Sequence, residues 1–71
     1  MKESTMKLIE KHLEKARKKH PDFSHSRWQT VSIAAEELGE FAQAVNDGKY
    51  AKTKSEALDL IAVMVRFMEG D

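Results

Sequence analysis

A chain of 71 residues is one domain with a small core, near the lower limit of what stands alone. Its 12 basic and 12 acidic residues cancel, which argues against nucleic-acid binding driven by bulk charge, and without cysteine it has neither disulfides nor thiolate metal sites. No apolar run approaches a membrane span and the N-terminus lacks the apolar core of a signal peptide, so the expectation is a soluble cytoplasmic protein.

Residues 4–20 read as an amphipathic helix that Ser4 or Thr5 can cap. Met6, Ile9, Leu13 and Ala16 form its apolar stripe, and charged residues occupy the other faces. The run Arg17-Lys18-Lys19-His20 falls in the last turn, where cations suit the helix dipole, and reads as a solvated face more readily than as a phosphate-attracting rim. Pro21 ends this helix, because proline disfavours helical geometry in the residue before it. Residues 20–26 then form a loop in which Phe23 packs as a plug and His20 and His25 are solvated or touch a ligand.

A second helix is predicted over about 26–47, with Ser26 and Gln29 at capping-box spacing. Trp28, Val31, Ala35, Leu38, Ala42 and Val45 read as its buried stripe, and Ile33, Glu37, Glu40 and Ala44 as a flanking one. Gly39 and the small residues Ala34, Ala35, Ala42 and Ala44 suggest close approach of another helix, or room for a ligand. Asn46-Asp47-Gly48 is a stop signal. A third helix is predicted over about 50–69; between Ala57 and Met68 only Asp59 and Arg66 are polar. A helix apolar all round has to be buried all round, which two short partners in one chain cannot achieve. The fold expected is all-α, three helices per chain in an oligomeric helical bundle, a dimer or a dimer of dimers.

Two acidic pairs organise this chain: Glu37-x-x-Glu40 and Glu56-x-x-Asp59. Residues three apart share a helix face. Glu40 and Glu56 each lie eight residues from Gly48, and Glu37 and Asp59 each lie eleven away. An antiparallel hairpin turning at Gly48 therefore sets four carboxylates at one height. Such a cluster repels itself unless a hard cation such as Mg²⁺ joins it. Plainer explanations exist for parts of it. Glu36, Glu37 and Glu40 can be a solvated face, and Glu56 can complete a capping box with Thr53. Neither explains Asp59 inside an apolar run, where a lone carboxylate is costly. Arg66, seven residues on, reads as its ion-pair partner, as a phosphate ligand, or as both. A ferritin-like di-iron site needs Glu-x-x-His, which does not occur here.

Glu37-x-x-Glu40, a spacer of fifteen and Glu56-x-x-Asp59 resemble the signature of the all-α nucleoside triphosphate pyrophosphohydrolases, the MazG-like proteins and their relatives. The loop His20-Pro21-Asp22-Phe23 leading to Trp28, the run Ala35-Glu36-Glu37-Leu38-Gly39-Glu40 and Leu60-Ile61-Ala62-Val63 are similar to the small MazG-like branch. The resemblance covers roughly residues 20–70. It implies Mg²⁺ held by Glu37, Glu40, Glu56 and Asp59, and hydrolysis of a nucleoside triphosphate to the monophosphate and pyrophosphate as nucleotide-pool house-cleaning. It also implies dimers or dimers of dimers, and a phosphate-binding role for Lys52. Members commonly carry a further helix of basic or amide nucleotide contacts after the second pair, and none follows in this sequence. The expectations are then a neighbouring subunit completing the site, weak activity, or binding without turnover.

The chemistry suits these residues on its own terms. Hard cations neutralise the crowded charge of a triphosphate, and Mn²⁺ is hard enough to substitute for Mg²⁺. Glu36 or a free oxygen of Glu37 can accept the proton of an attacking water. Lys52, Lys54 and Arg66 are the cations within reach of phosphate, and Trp28, Phe23 and His25 are the candidates for contacting a base. The competing reading is a helical binding or assembly module with little or no catalysis.

Overall fold

The computed structural model describes all 71 residues, as three helices and no strand: α1 (Glu3–Lys19), α2 (Arg27–Asn46) and α3 (Tyr50–Met68). Helix α3 is the centre of the fold. It packs against α1 and against α2, whereas α1 and α2 do not pack on each other. The result is a wedge that opens between α1 and α2. Its Cα radius of gyration, 12.3 Å, exceeds the roughly 11 Å of a close-packed chain of this length.

The helix boundaries have local causes. At the start of α1 the cap position is Lys2, with no side-chain cap; Ser4 and Thr5 lie inside the first turn rather than capping it. At α2 the Ser26 hydroxyl accepts the Gln29 N–H at 3.1 Å. Gln29 reaches back one residue further than a capping box requires, accepting the His25 N–H at 2.6 Å. The Ser24 hydroxyl meets that of buried Thr30 at 2.7 Å, tying the loop after Pro21 onto α2. Helix α2 ends in a Schellman motif around Gly48, whose φ of 68° only glycine adopts without strain. The Gly48 N–H donates to Val45 and the Lys49 N–H to Ala44, both at 3.1 Å. This three-residue connection, 47–49, turns the chain into an antiparallel α2–α3 hairpin. Tyr50 already begins α3, so Thr53 is inside the helix, with its hydroxyl donating to the Lys49 carbonyl at 2.8 Å. The capping explanation for Glu56 is thereby removed.

The stripe of α2 that packs on α3 is Thr30, Ile33, Ala34, Glu37, Phe41 and Ala44. The stripe expected to be buried is the outer one: Trp28 is 72% exposed, Val31 62%, Leu38 53% and Val45 51%. Gly39 likewise faces open space within the chain. On α3, Leu58, Ala62 and Arg66 turn inward, and Ile61, Met64, Phe67 and Met68 remain exposed. Only five residues are buried, none of them a large side chain at full burial, so this fold has little core of its own.

Arg66 is one of those five, and it joins the elements. Its Nε donates to Asp71 at 2.9 Å, Nη1 to the Ala16 carbonyl at 3.3 Å, and Nη2 to the carbonyls of His20 at 2.8 Å and Pro21 at 3.5 Å. It also lies 4.8 Å above the ring of Phe23. The Ala16 carbonyl, which already accepts the His20 N–H at 2.9 Å, takes this guanidinium as a second donor, and the guanidinium also binds the His20 and Pro21 carbonyls just past the end of α1. Asp71 in turn receives Arg17 of α1 at 2.8 Å, and these two arginines hold its carboxyl below its ordinary range. The ion pair with Asp59, one of the two roles the sequence leaves open to Arg66, is not formed: the guanidinium is engaged by Asp71 and by the carbonyls of Ala16, His20 and Pro21 instead.

Candidate metal centre

The hairpin brings carboxylates of α2 and α3 together midway along their contact. Glu37, Glu56 and Asp59 are all half-buried and each places a carboxylate oxygen within 4.8 Å of the other two. Glu40, at the exposed rim, reaches both Glu37 and Glu56 closely enough to raise their proton affinity. Glu37 is pushed up to about 7, first by burial, then by the charges of Glu40 and Asp59 and by Glu56. Glu56 is raised for the same reasons, burial first, with Lys52 one turn earlier opposing the shift.

One oxygen on each of Glu37 and Glu56 is buried without any hydrogen-bond partner. A buried polar atom left unpaired is costly, more so when it carries charge. Three hard oxygen donors around two such orphaned atoms suit a divalent cation of the magnesium type, and the absence of His or Cys among them disfavours zinc.

Beside the carboxylates the wedge forms a cavity of about 520 Å³. Glu36, Glu37 and Asp59 line it from α2 and α3, and His12, Lys15 and Lys19 line it from α1. Phe23, a candidate for base contact, also lines it, under Arg66. Trp28 does not: it stands on the outer face of α2 against Arg27, lining a separate apolar groove with Leu38, Leu60 and Met64. His25 and Lys54 are exposed and outside the cavity wall. Lys52 lies near Glu56. Arg66 reaches the wall, with four of its hydrogen bonds already made to Asp71 and to main-chain oxygens. Of these α1 residues only Lys19 carries a site reading in the sequence, as part of the less favoured phosphate-attracting rim; His12 and Lys15 carry none. Their signal was the i, i+3, i+7 spacing of His12, Lys15 and Lys19, hidden among seven cations on the same helix and its flank.

No protein-family profile, curated protein or solved structure matches this chain.

Proposed function

We propose that this protein is a Mg²⁺-dependent nucleoside triphosphate pyrophosphohydrolase, of the MazG-like type that its paired acidic motifs resemble. One observation carries the reading: Glu37, Glu56 and Asp59 converge within 4.8 Å beside a cavity, two of them with a buried, unpartnered oxygen. Glu37, Glu56 and Asp59 would hold the cation, with Glu40 at the rim. When bound, Mg²⁺ supplies charge neutralisation for the phosphate oxygens and for the pyrophosphate that leaves.

The chain's own residues do the rest. Glu36 is exposed on the cavity wall next to Glu37, so it is placed to take the proton of an attacking water. Water adds one P–O bond to the substrate as the α–β bridging P–O bond breaks, and pyrophosphate departs with that electron pair. Phe23 offers an aromatic surface at the cavity edge. The substrate is a nucleoside triphosphate, and the working unit is a homo-oligomer joined through the exposed apolar faces of α2 and α3.

The test is release of pyrophosphate from a panel of nucleotides with Mg²⁺ or Mn²⁺ and with EDTA. Metal-dependent release abolished by Glu36→Gln and by Glu37→Gln supports the reading. Folded, metal-binding protein that releases none from any nucleotide sinks it. That outcome favours the second reading, an assembly module, to which the exposed Trp28–Val31–Leu38 face on α2 lends its own support.

A further inference from the structure

Helix α1 carries cations all around its apolar stripe, and the fold sorts them. Lys7 pairs with Glu3 at 3.6 Å and Lys18 with Glu14 at 3.1 Å, one turn away on the same helix. Arg17 pairs with Glu69 at 2.6 Å and with Asp71. Lys15 and Lys19 form no ion pair, although they share a cavity with Glu36, Glu37 and Asp59. The gap explains this. Because α1 and α2 do not pack on each other, the basic wall and the acidic wall face each other across about 520 Å³ instead of closing into salt bridges.

We propose that His12, Lys15 and Lys19 form the anion wall of this cavity and hold the distal phosphates of a polyphosphate ligand opposite the carboxylates. The proposal rests on the reading of those carboxylates as a metal centre for a nucleoside triphosphate. A phosphate chain suits a cavity with walls of opposite charge. Some of its oxygens meet lysine ammonium groups directly, and others share a cation with the acids. The wall has the length for more than one phosphate, since seven residues of helix advance about 10 Å. The His12 ring donates from Nδ1 to the Leu8 carbonyl at 3.2 Å, so Nε2 can donate to a phosphate oxygen in the imidazolium form. Arg66 is held by Asp71 and by main-chain oxygens, so the lysines are the cations on this wall without an ion-pair partner. The basic run at the end of α1, read from the sequence as solvated first, is thus divided: Arg17 ties α1 to the C-terminal residues, Lys18 pairs within its own helix, and Lys19 joins Lys15 on the cavity wall.

The experiment is calorimetric titration of the full chain with inorganic tripolyphosphate and with a non-hydrolysable nucleoside triphosphate, both with Mg²⁺. It compares Lys15→Gln, Lys19→Gln and their double variant with Lys11→Gln, an exposed cation outside the cavity. A lost charged contact weakens binding about tenfold or more, so the double variant should bind both probes at least about a hundredfold more weakly. Mg²⁺ alone should raise the melting temperature of that variant as it does the parent's, and Lys11→Gln should bind like the parent. Equal affinity in the parent and the double variant overturns the proposal, as does a parent that binds no tripolyphosphate. The two readings separate cleanly. Tripolyphosphate binding that needs Lys15 and Lys19, in a protein that hydrolyses no nucleotide, keeps the anion wall and removes the pyrophosphohydrolase. Hydrolysis with an unchanged KM in the double variant does the reverse.

Discussion

At Glu37, burial and neighbouring carboxylates act in the same direction, and its proton affinity reports on both. Folding lifts its pKa from an ordinary 4.5 to about 7, so the metal-free native state binds a proton that the unfolded chain has released. A pKa raised on folding contributes stability that is complete below the unfolded value and is lost as pH rises through the folded one. In EDTA the melting temperature should therefore fall between about pH 5 and pH 8, with Glu56 adding to the trend. On the proposed metal reading Mg²⁺ takes over the proton's role, so in its presence the same scan should be flatter and the largest metal-induced shift should lie at the alkaline end. Glu37→Gln removes one charge from the cluster; in EDTA near pH 8 it should melt at or above the parent temperature while binding Mg²⁺ more weakly. Differential scanning fluorimetry across pH, with and without Mg²⁺, checks all three outcomes. A metal-free protein whose melting rises steadily from pH 5 to pH 8 contradicts the cluster as described.

Between elements, the hairpin of α2 and α3 was legible and the docking of α1 was not. Counting from Gly48 places Glu37 near Asp59 because one local signal, a glycine at a helix end, sets the register of everything around it. Helix α2 carries two apolar stripes, and periodicity alone does not say which of them the single partner α3 covers. The stripe with the larger side chains, Trp28 and Leu38, reads as the inward one, yet the smaller Ala34 and Ala44 let the helices approach. Arg66 was opaque for a different reason. Its partners Ala16, His20 and Pro21 lie 50, 46 and 45 residues away, and main-chain acceptors leave no mark in a sequence. That network makes Arg66 the clasp between α3 and α1. Lysine retains the charge and loses the planar fork. Arg66→Lys should lower unfolding stability by roughly 0.5–1.5 kcal/mol for each hydrogen bond that the single ammonium cannot remake. Amide exchange should quicken throughout α1 before it changes in the hairpin. Chemical denaturation with exchange mass spectrometry measures both, and an equally stable variant with a protected α1 would falsify the clasp.

As a whole the molecule exposes more apolar surface than a core of this size can compensate. Trp28, Val31, Leu38 and Val45 on α2 lie at least half exposed, and Ile61, Met64, Phe67 and Met68 continue the same apolar character on α3. Trp28, Val31, Leu38, Leu60, Met64 and Phe67 line one groove between the two helices, so these six form a connected face. Large apolar patches of this kind mark interaction surfaces. Burying one large side chain contributes roughly 1.5–3 kcal/mol, against a whole-domain stability of about 5–15 kcal/mol. Covering four or five of them therefore matters as much as the entire intrachain core, of which Ala44, Leu58 and Ala62 are the buried apolar members. The proposed occupant is a second copy, whose own hairpin presents the same face and allows a two-fold contact. The carboxylates and the cavity lie on the α1 side of the hairpin, so assembly through this outer face leaves the site open. If folding is coupled to association, the melting temperature rises with protein concentration. Leu38→Asp and Met64→Asp place a charge in the centre of the face without touching the intrachain contact between Ala44 and α3. Each should shift sedimentation to a monomer and lower melting by several degrees at micromolar concentration. Asp71→Asn, far from this face on the Arg66 clasp, should weaken the docking of α1 and leave the oligomer intact. A parent chain that sediments as a monomer and melts cooperatively at a concentration-independent temperature would show that this small core is sufficient, and that the apolar face awaits a different partner.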